Sequence, residues 1–130
     1  MDMKTKVLIV DDEPRNVRIL QEILEDLYTL DTAYNGQEAL DKIVSFQPDI
    51  ILLDNMMPEI DGLEVCRRIR TELNNNKVKV IMLSGRASTP EQTEGLAAGA
   101  NRYITKPFSD DDLITAIDEL FLDNNEAVLH

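Results

Sequence analysis

The sequence predicts an α/β fold in one domain, with a parallel sheet assembled from five βα units. Two observations carry that expectation. Five short strand-like runs alternate with amphipathic stretches whose apolar positions recur at helical spacing. Three of those runs are apolar throughout, as strands covered by helices on both faces must be. Alternation of this kind implies right-handed crossovers between parallel strands. At 130 residues the chain can bury roughly two-thirds of its unfolded surface in a single core.

The first run is Val7–Val10 (VLIV). Pro14 then suits the first turn of a helix, where its missing N–H is no loss. Val17, Leu20, Leu24 and Leu27 recur at steps of three, four and three, and Ile19 and Ile23 widen the stripe. A weaker run, Tyr28–Ala33 (YTLDTA), follows. Asn35 and Glu38 have capping-box spacing before the second helix. The third run, Ile50–Leu53 (IILL), ends directly on Asp54, and Asp61 with Glu64 repeats the capping spacing before the third helix.

The fourth run, Val80–Leu83 (VIML), leads to Thr89-Pro90-Glu91-Gln92, read as a cap, a first-turn proline and a capping partner. That fourth helix is weak, because Gly95 and Gly99 interrupt or end it and few apolar residues anchor it. The fifth run, Arg102–Thr105 (RYIT), is polar like the second, which places both near or at the sheet edges. Ser109 and the three aspartates after it cap the last helix and match its dipole. Leu113, Ile114, Ile117, Leu120 and Phe121 form its buried stripe. The domain is expected to span residues 1–123, with 124–130 a tail or the start of a linker.

Apolar residues at 43% and charged residues at 29% are an ordinary globular balance. Thirteen basic against 25 acidic side chains give a formal charge of −12. That excess repels phosphate backbones and anionic bilayers, so no direct nucleic-acid binding and no membrane association are expected. No apolar run approaches a membrane-spanning length, and no signal-peptide pattern is present. The single cysteine, Cys66, cannot form an internal disulfide, which suits a reducing compartment. A cytoplasmic location is the expectation. His130, the single histidine, ends the chain and is given no catalytic role.

In doubly wound sheets, ligands bind at the carboxyl ends of the strands. Asp11-Asp12, Asp54 and Ser84 stand at the ends of the first, third and fourth runs, and Lys106 follows the fifth. If the first and third strands are neighbours, Asp11, Asp12 and Asp54 share one pocket. Each close pair of carboxylates then costs on the order of a few kcal/mol, so either protons or a cation must join them. Hard oxygen ligands without thiolate or imidazole favour Mg²⁺. A metal, a lysine and a hydroxyl around one carboxylate are what phosphoryl transfer to that carboxylate requires.

Taken singly, each residue has a plainer reading. Asp11-Asp12 could be an acidic turn, Asp54 a cap for the next segment, Lys106 a solvated surface lysine and Ser84 a turn hydroxyl. Tyr103 could be edge-strand packing, and Met56 and Met57 core fillers. Their joint placement at strand ends argues against the plain set.

The stretches VLIVDDEP, LLDNMMPEIDG, VIMLSG and YITKPF, with 30 residues from Asp54 to Ser84 and 22 from Ser84 to Lys106, resemble the receiver domain of bacterial two-component response regulators. The resemblance implies a flavodoxin-like (βα)5 doubly wound sandwich with strand order 2-1-3-4-5. It makes Asp54 the phosphoacceptor, with Asp12, Asp54 and the Met56 carbonyl on Mg²⁺ and Asp11 acting mainly through water. Lys106 would hold a phosphoryl oxygen, before a cis bond to Pro107. Ser84 would donate to the phosphoryl group, and Tyr103 would be the aromatic switch that turns as Ser84 moves. The implied function is a phosphorylation-dependent switch rather than an enzyme, one that assists its own phosphotransfer and dephosphorylation. It would accept a phosphoryl group from a sensor histidine kinase or histidine phosphotransfer protein. It would then change partner binding through the fourth helix, fifth strand and fifth helix, acting on an output domain or effector. Phosphorylation-dependent homodimerisation is left open.

Met56 and Arg86, two residues after Asp54 and Ser84, depart from the chemotaxis regulators, as does Asn55. In the family the side chains at the Met56 and Arg86 positions flank the phosphoryl group and tune hydrolysis, while an apolar residue is commoner at the Asn55 position. A Mg²⁺-dependent aspartyl-phosphate phosphatase is a rival reading, but it would carry an aspartate where Met56 stands. A receiver-like interaction module not controlled by phosphorylation is the alternative.

Overall fold

A computed structural model of the protein describes residues 5–85 and 88–129. Arg86 and His130 therefore lie outside the described residues. Ten elements alternate along the chain: β1 (Lys6–Val10), α1 (Pro14–Leu24), β2 (Thr29–Ala33), α2 (Gly36–Ser45), β3 (Ile50–Asp54), α3 (Gly62–Arg70), β4 (Lys79–Ser84), α4 (Thr89–Ala97), β5 (Arg102–Thr105) and α5 (Asp110–Leu129). The strands form one sheet in the order β2-β1-β3-β4-β5, every pair parallel. This is the expected flavodoxin-like arrangement, with the two polar runs, β2 and β5, at the edges. Residues 124–129, expected to be a tail or linker, continue α5.

The alternation of side chains along each strand divides the core into two layers. Leu8, Val10, Ile51, Leu53, Val80 and Met82 meet Ala39 and Ile43 of α2 and Val65, Cys66 and Ile69 of α3. Val7, Ile9, Ile50, Leu52, Ile81 and Leu83 meet Val17, Leu20 and Leu24 of α1 and Leu113, Ile117 and Leu120 of α5. All five residues of β3 are buried. Each apolar one contributes on the order of 1.5–3 kcal/mol relative to exposure, so the central strand is a stiff mount.

The chain leaves β1 through α1 for β2 on one side, then returns through α2 to β3 on the other side of β1. The crevice between β1 and β3 is the switch point where this fold class places ligands. Among the described residues, no helix is long and apolar enough to cross a membrane.

Helix starts follow the sequence closely, with two corrections. Asn35 and Asp61 accept the Glu38 and Glu64 amides at 2.8 and 2.9 Å. Ser109 accepts from Asp112 N at 3.0 Å, and the Asp112 carboxylate accepts from Ser109 N at 3.4 Å. The cap of α4 is Ser88, not Thr89, because Glu91 stands three residues after Ser88 and donates its amide there at 3.4 Å. The α1 stripe ends at Leu24; Leu27 is exposed, and Tyr28 is buried in its stead.

Candidate functional site

β1 and β3 pair through Val10↔Leu53, so the residues that follow each pair lie side by side at the crevice. Asp11 and Asp54 are buried, with 2% and 6% of their surface exposed, and Asp12 is half-buried. One carboxylate oxygen from each of Asp11, Asp12 and Asp54 lies within 4.8 Å of the others. Lys106 reaches the same place from β5, its Nζ 3.7 Å from Asp54 Oδ1 and 3.9 Å from Asp11 Oδ2. Asp11 Oδ1 also accepts the Glu13 amide at 3.0 Å, which holds the β1–α1 turn. The Lys106–Pro107 peptide is cis, as the resemblance implies.

The electrostatics follow from this crowding. Burial pushes the Asp54 carboxyl up from 3.8 to about 6, and the Asp11 charge pushes the same way. Lys106 and the Met56 amide at 3.3 Å pull it down without offsetting that rise. The charged form of Asp54 thus sits in a place that asks for more positive charge than Lys106 supplies. Three hard carboxylates in the absence of thiolate or imidazole are a donor set for a divalent cation such as Mg²⁺.

The other sequence-predicted residues divide. Ser84 ends β4 fully buried, and its carbonyl accepts the Lys106 amide at 2.7 Å, tying the hydroxyl and the lysine to one rung of the sheet. Tyr103 pairs with Met82 across β4 and β5. Its ring lies under α4, where a Cβ on Gly95 would come within 2.9 Å of it. Met56 enters the pocket through its backbone amide, while its side chain is 52% exposed. Together with Met57, Pro58 and Leu63 it lines a cleft of about 480 Å³ facing Glu91 and Glu94. A second cleft of about 370 Å³ has Asp11 and Lys106 at its margin and Ile19, Leu20, Ile23 and Phe108 along it.

Sequence reasoning passed over Gly62. The loop after β3 folds back so tightly that a Cβ there would lie 2.7 Å from the Asp54 carbonyl and 2.8 Å from Asn55 Cα. Its amide donates to Asn55 O at 3.1 Å. The available signal was a glycine directly after a capping aspartate, which reads as cap chemistry unless the strand's proximity is known.

With this geometry in hand, comparison with known proteins is specific. The family model for the response regulator receiver domain matches residues 7–118. Response regulator ArlR of Staphylococcus aureus is 40% identical over 114 residues, covering 87% of this chain and 51% of that protein. The chain thus spans about half the length of the curated relatives it matches. Among solved structures, the Francisella response regulator 1452 receiver domain is 36% identical with a TM-score of 0.84, covering 92% of this chain and 98% of that one. A CheY-like receiver domain protein from Methanospirillum hungatei is 30% identical with a TM-score of 0.87, covering 95% of this chain and 98% of that one. The family match and the structural matches each cover most of the chain, and the chain belongs to the response regulator receiver domain family of two-component signalling.

Proposed function

We propose that the chain is a signalling switch controlled by phosphorylation of Asp54. The observation that carries this reading is the meeting of a buried carboxylate with two further carboxylates and Lys106 at one strand-end crevice. In the proposed reaction an Asp54 carboxylate oxygen attacks phosphorus in line. The O–P bond forms as the P–N bond of a donor phosphohistidine breaks, and the electron pair leaves on the imidazole nitrogen. The Lys106 ammonium holds one phosphoryl oxygen, from a position already within 4 Å of the acceptor carboxylate. The Ser84 hydroxyl donates to a second oxygen.

Asp11, Asp12, Asp54 and the Met56 carbonyl are the residues that would hold Mg²⁺, which fits the hard-oxygen donor set and the excess negative charge. The bound ion would neutralise charge on the transferring group. The phosphodonor, a histidine kinase or phosphotransfer protein, docks on α1 beside the acidic crevice. The cleft along Ile19, Leu20 and Ile23 supports that placement, because it is apolar and runs to Asp11 and Lys106. Once Asp54 is phosphorylated, Ser84 and Tyr103 shift the α4–β5–α5 face between two states, and an output domain or effector reads the change. The setting is cytoplasmic.

Intact mass spectrometry after incubation with acetyl phosphate and Mg²⁺ tests the reading. One added phosphoryl mass in the wild type, absent from Asp54→Ala and from a sample in EDTA, is expected. An unmodified wild type with acetyl phosphate, phosphoramidate and a phosphohistidine protein alike would overturn it.

A further inference from the structure

α4 is anchored at its far end by a junction with α3. Among its described residues only Gly95 is buried, and Ala98 and Ala100 follow just beyond it, whereas Leu96 is exposed. Its start is held by the Ser88 cap, at 3.4 Å. Its far end meets Arg70, the last residue of α3. Gly99 turns the chain at φ +114, a conformation that side chains rarely adopt, and a Cβ there would lie 2.7 Å from Arg70 Cγ.

The Arg70 guanidinium closes this junction. Nε and Nη2 donate to Gly99 O at 3.1 and 2.8 Å, and Nη2 also donates to Asn101 Oδ1 at 2.9 Å. Nη1 donates to Asn75 O at 3.0 Å and Val78 O at 2.7 Å. Asn101 Oδ1 in turn accepts from Val80 N at 2.8 Å, and the Asn101 amide donates to Val80 O at 2.8 Å. One planar fork therefore joins the end of α3, the loop into β4 and the turn after α4, and Asn101 extends the junction to Val80 of β4. A lysine ammonium, a point charge on a flexible stem, cannot span these acceptors.

We propose that Arg70 is the fixed pivot of α4: it positions the Gly99 end of the helix so that a pull from the Ser84 side swings the other end. This inference rests on the switch reading above and names the part that converts movement near Asp54 into rotation of a face. Without the fork, the same pull would slide the helix as a whole and leave Tyr103, packed beneath Gly95, unaddressed.

Hydrogen exchange with mass spectrometry on the full chain, with and without acetyl phosphate and Mg²⁺, tests the pivot. Intact mass is read in parallel. In the wild type, phosphorylation should change exchange over residues 88–94 and leave the amides of Gly99, Ala100 and Asn101 unchanged. In Arg70→Lys, phosphoryl incorporation should persist. Those three amides should exchange about tenfold faster and should now respond to phosphorylation. Asn101→Ala, which removes one acceptor from an exposed position, should show the same change more weakly and serves if Arg70→Lys does not fold. Equal responses at both ends of α4 in the wild type would overturn the pivot. So would faster exchange in both variants with the response to phosphorylation unaltered, the mark of a merely structural arginine. If the wild type takes up no phosphoryl group from any donor, the switch reading fails and the pivot falls with it.

Discussion

Replacing Asp54 by asparagine should stabilise the metal-free protein at neutral pH. The carboxylate is buried beside Asp11 and its pKa is raised from 3.8 to about 6. A shift of that size is a penalty of about 3 kcal/mol on the charged form. The sign runs opposite to the usual paired carboxylate. Between pH 4 and 6 the folded state binds the extra proton, so stability falls as pH rises through that window and the whole penalty is present above it. The replacing amide would keep a side-chain oxygen to accept from the Met56 N–H, and the raised pKa already includes the attraction to Lys106, so a gain of about 1–3 kcal/mol is expected. Urea unfolding of the two proteins in EDTA at pH 7.5 and pH 4 reads it as a difference, which cancels the other titrating groups. A gain at pH 7.5 that shrinks at pH 4 is expected. A variant no more stable than the wild type at pH 7.5 would refute the picture of Asp54 as an underneutralised charge.

Four further outcomes follow from the same structure. Mg²⁺ should raise the wild-type Tm at pH 7.5, and Asp12→Asn should blunt that rise; equal shifts in the two proteins would count against the acidic cluster as the cation site. Gly62→Ala should cost about 1–3 kcal/mol by overpacking and slow phosphoryl uptake, because the new Cβ meets the Asp54 carbonyl at 2.7 Å; unchanged stability and rate would contradict that. Tyr28→Phe should lose about 1 kcal/mol, since the buried phenol donates to Asp118 at 2.8 Å. Burial and that bond raise the phenol pKa, so the wild type holds its proton longer when folded and loses this stabilisation as pH climbs above 10; urea midpoints should therefore converge at high pH, and parallel curves would be contrary evidence. Met56→Asn should change the lifetime of the phosphorylated protein with little loss of uptake, and identical decay of the two species would dismiss a role for that exposed side chain.

Much of this architecture was legible because local and global signals agree. VLIV, IILL and VIML are strands that need cover on both faces, and the polar YTLDTA and RYIT fall at the edges as β2 and β5. The acidic crevice was legible for the same reason: a carboxylate after a buried run can only project from a strand end. The misses have physical causes. Ser88 and Thr89 are both cap residues, and the one three positions before Glu91 prevails. Leu27 continues the arithmetic of the α1 stripe, but the helix has already ended and Tyr28 folds in over α5 with a hydroxyl partner 90 residues away. Gly62 and Arg70 act through backbone atoms of other elements, and the Arg70 acceptors lie up to 31 residues off. A sequence pattern carries no trace of which carbonyls a guanidinium will find.

The central claim is that Asp54 itself takes the phosphoryl group. The most direct test is transfer from a phosphorylated histidine protein in Mg²⁺, followed by borohydride reduction of the acyl phosphate and peptide mapping of the reduced residue. The account predicts reduction at position 54 alone, abolished by EDTA. Reduction at Asp11, Asp12 or elsewhere, or none despite transfer to a known receiver domain in the same mixture, would contradict it.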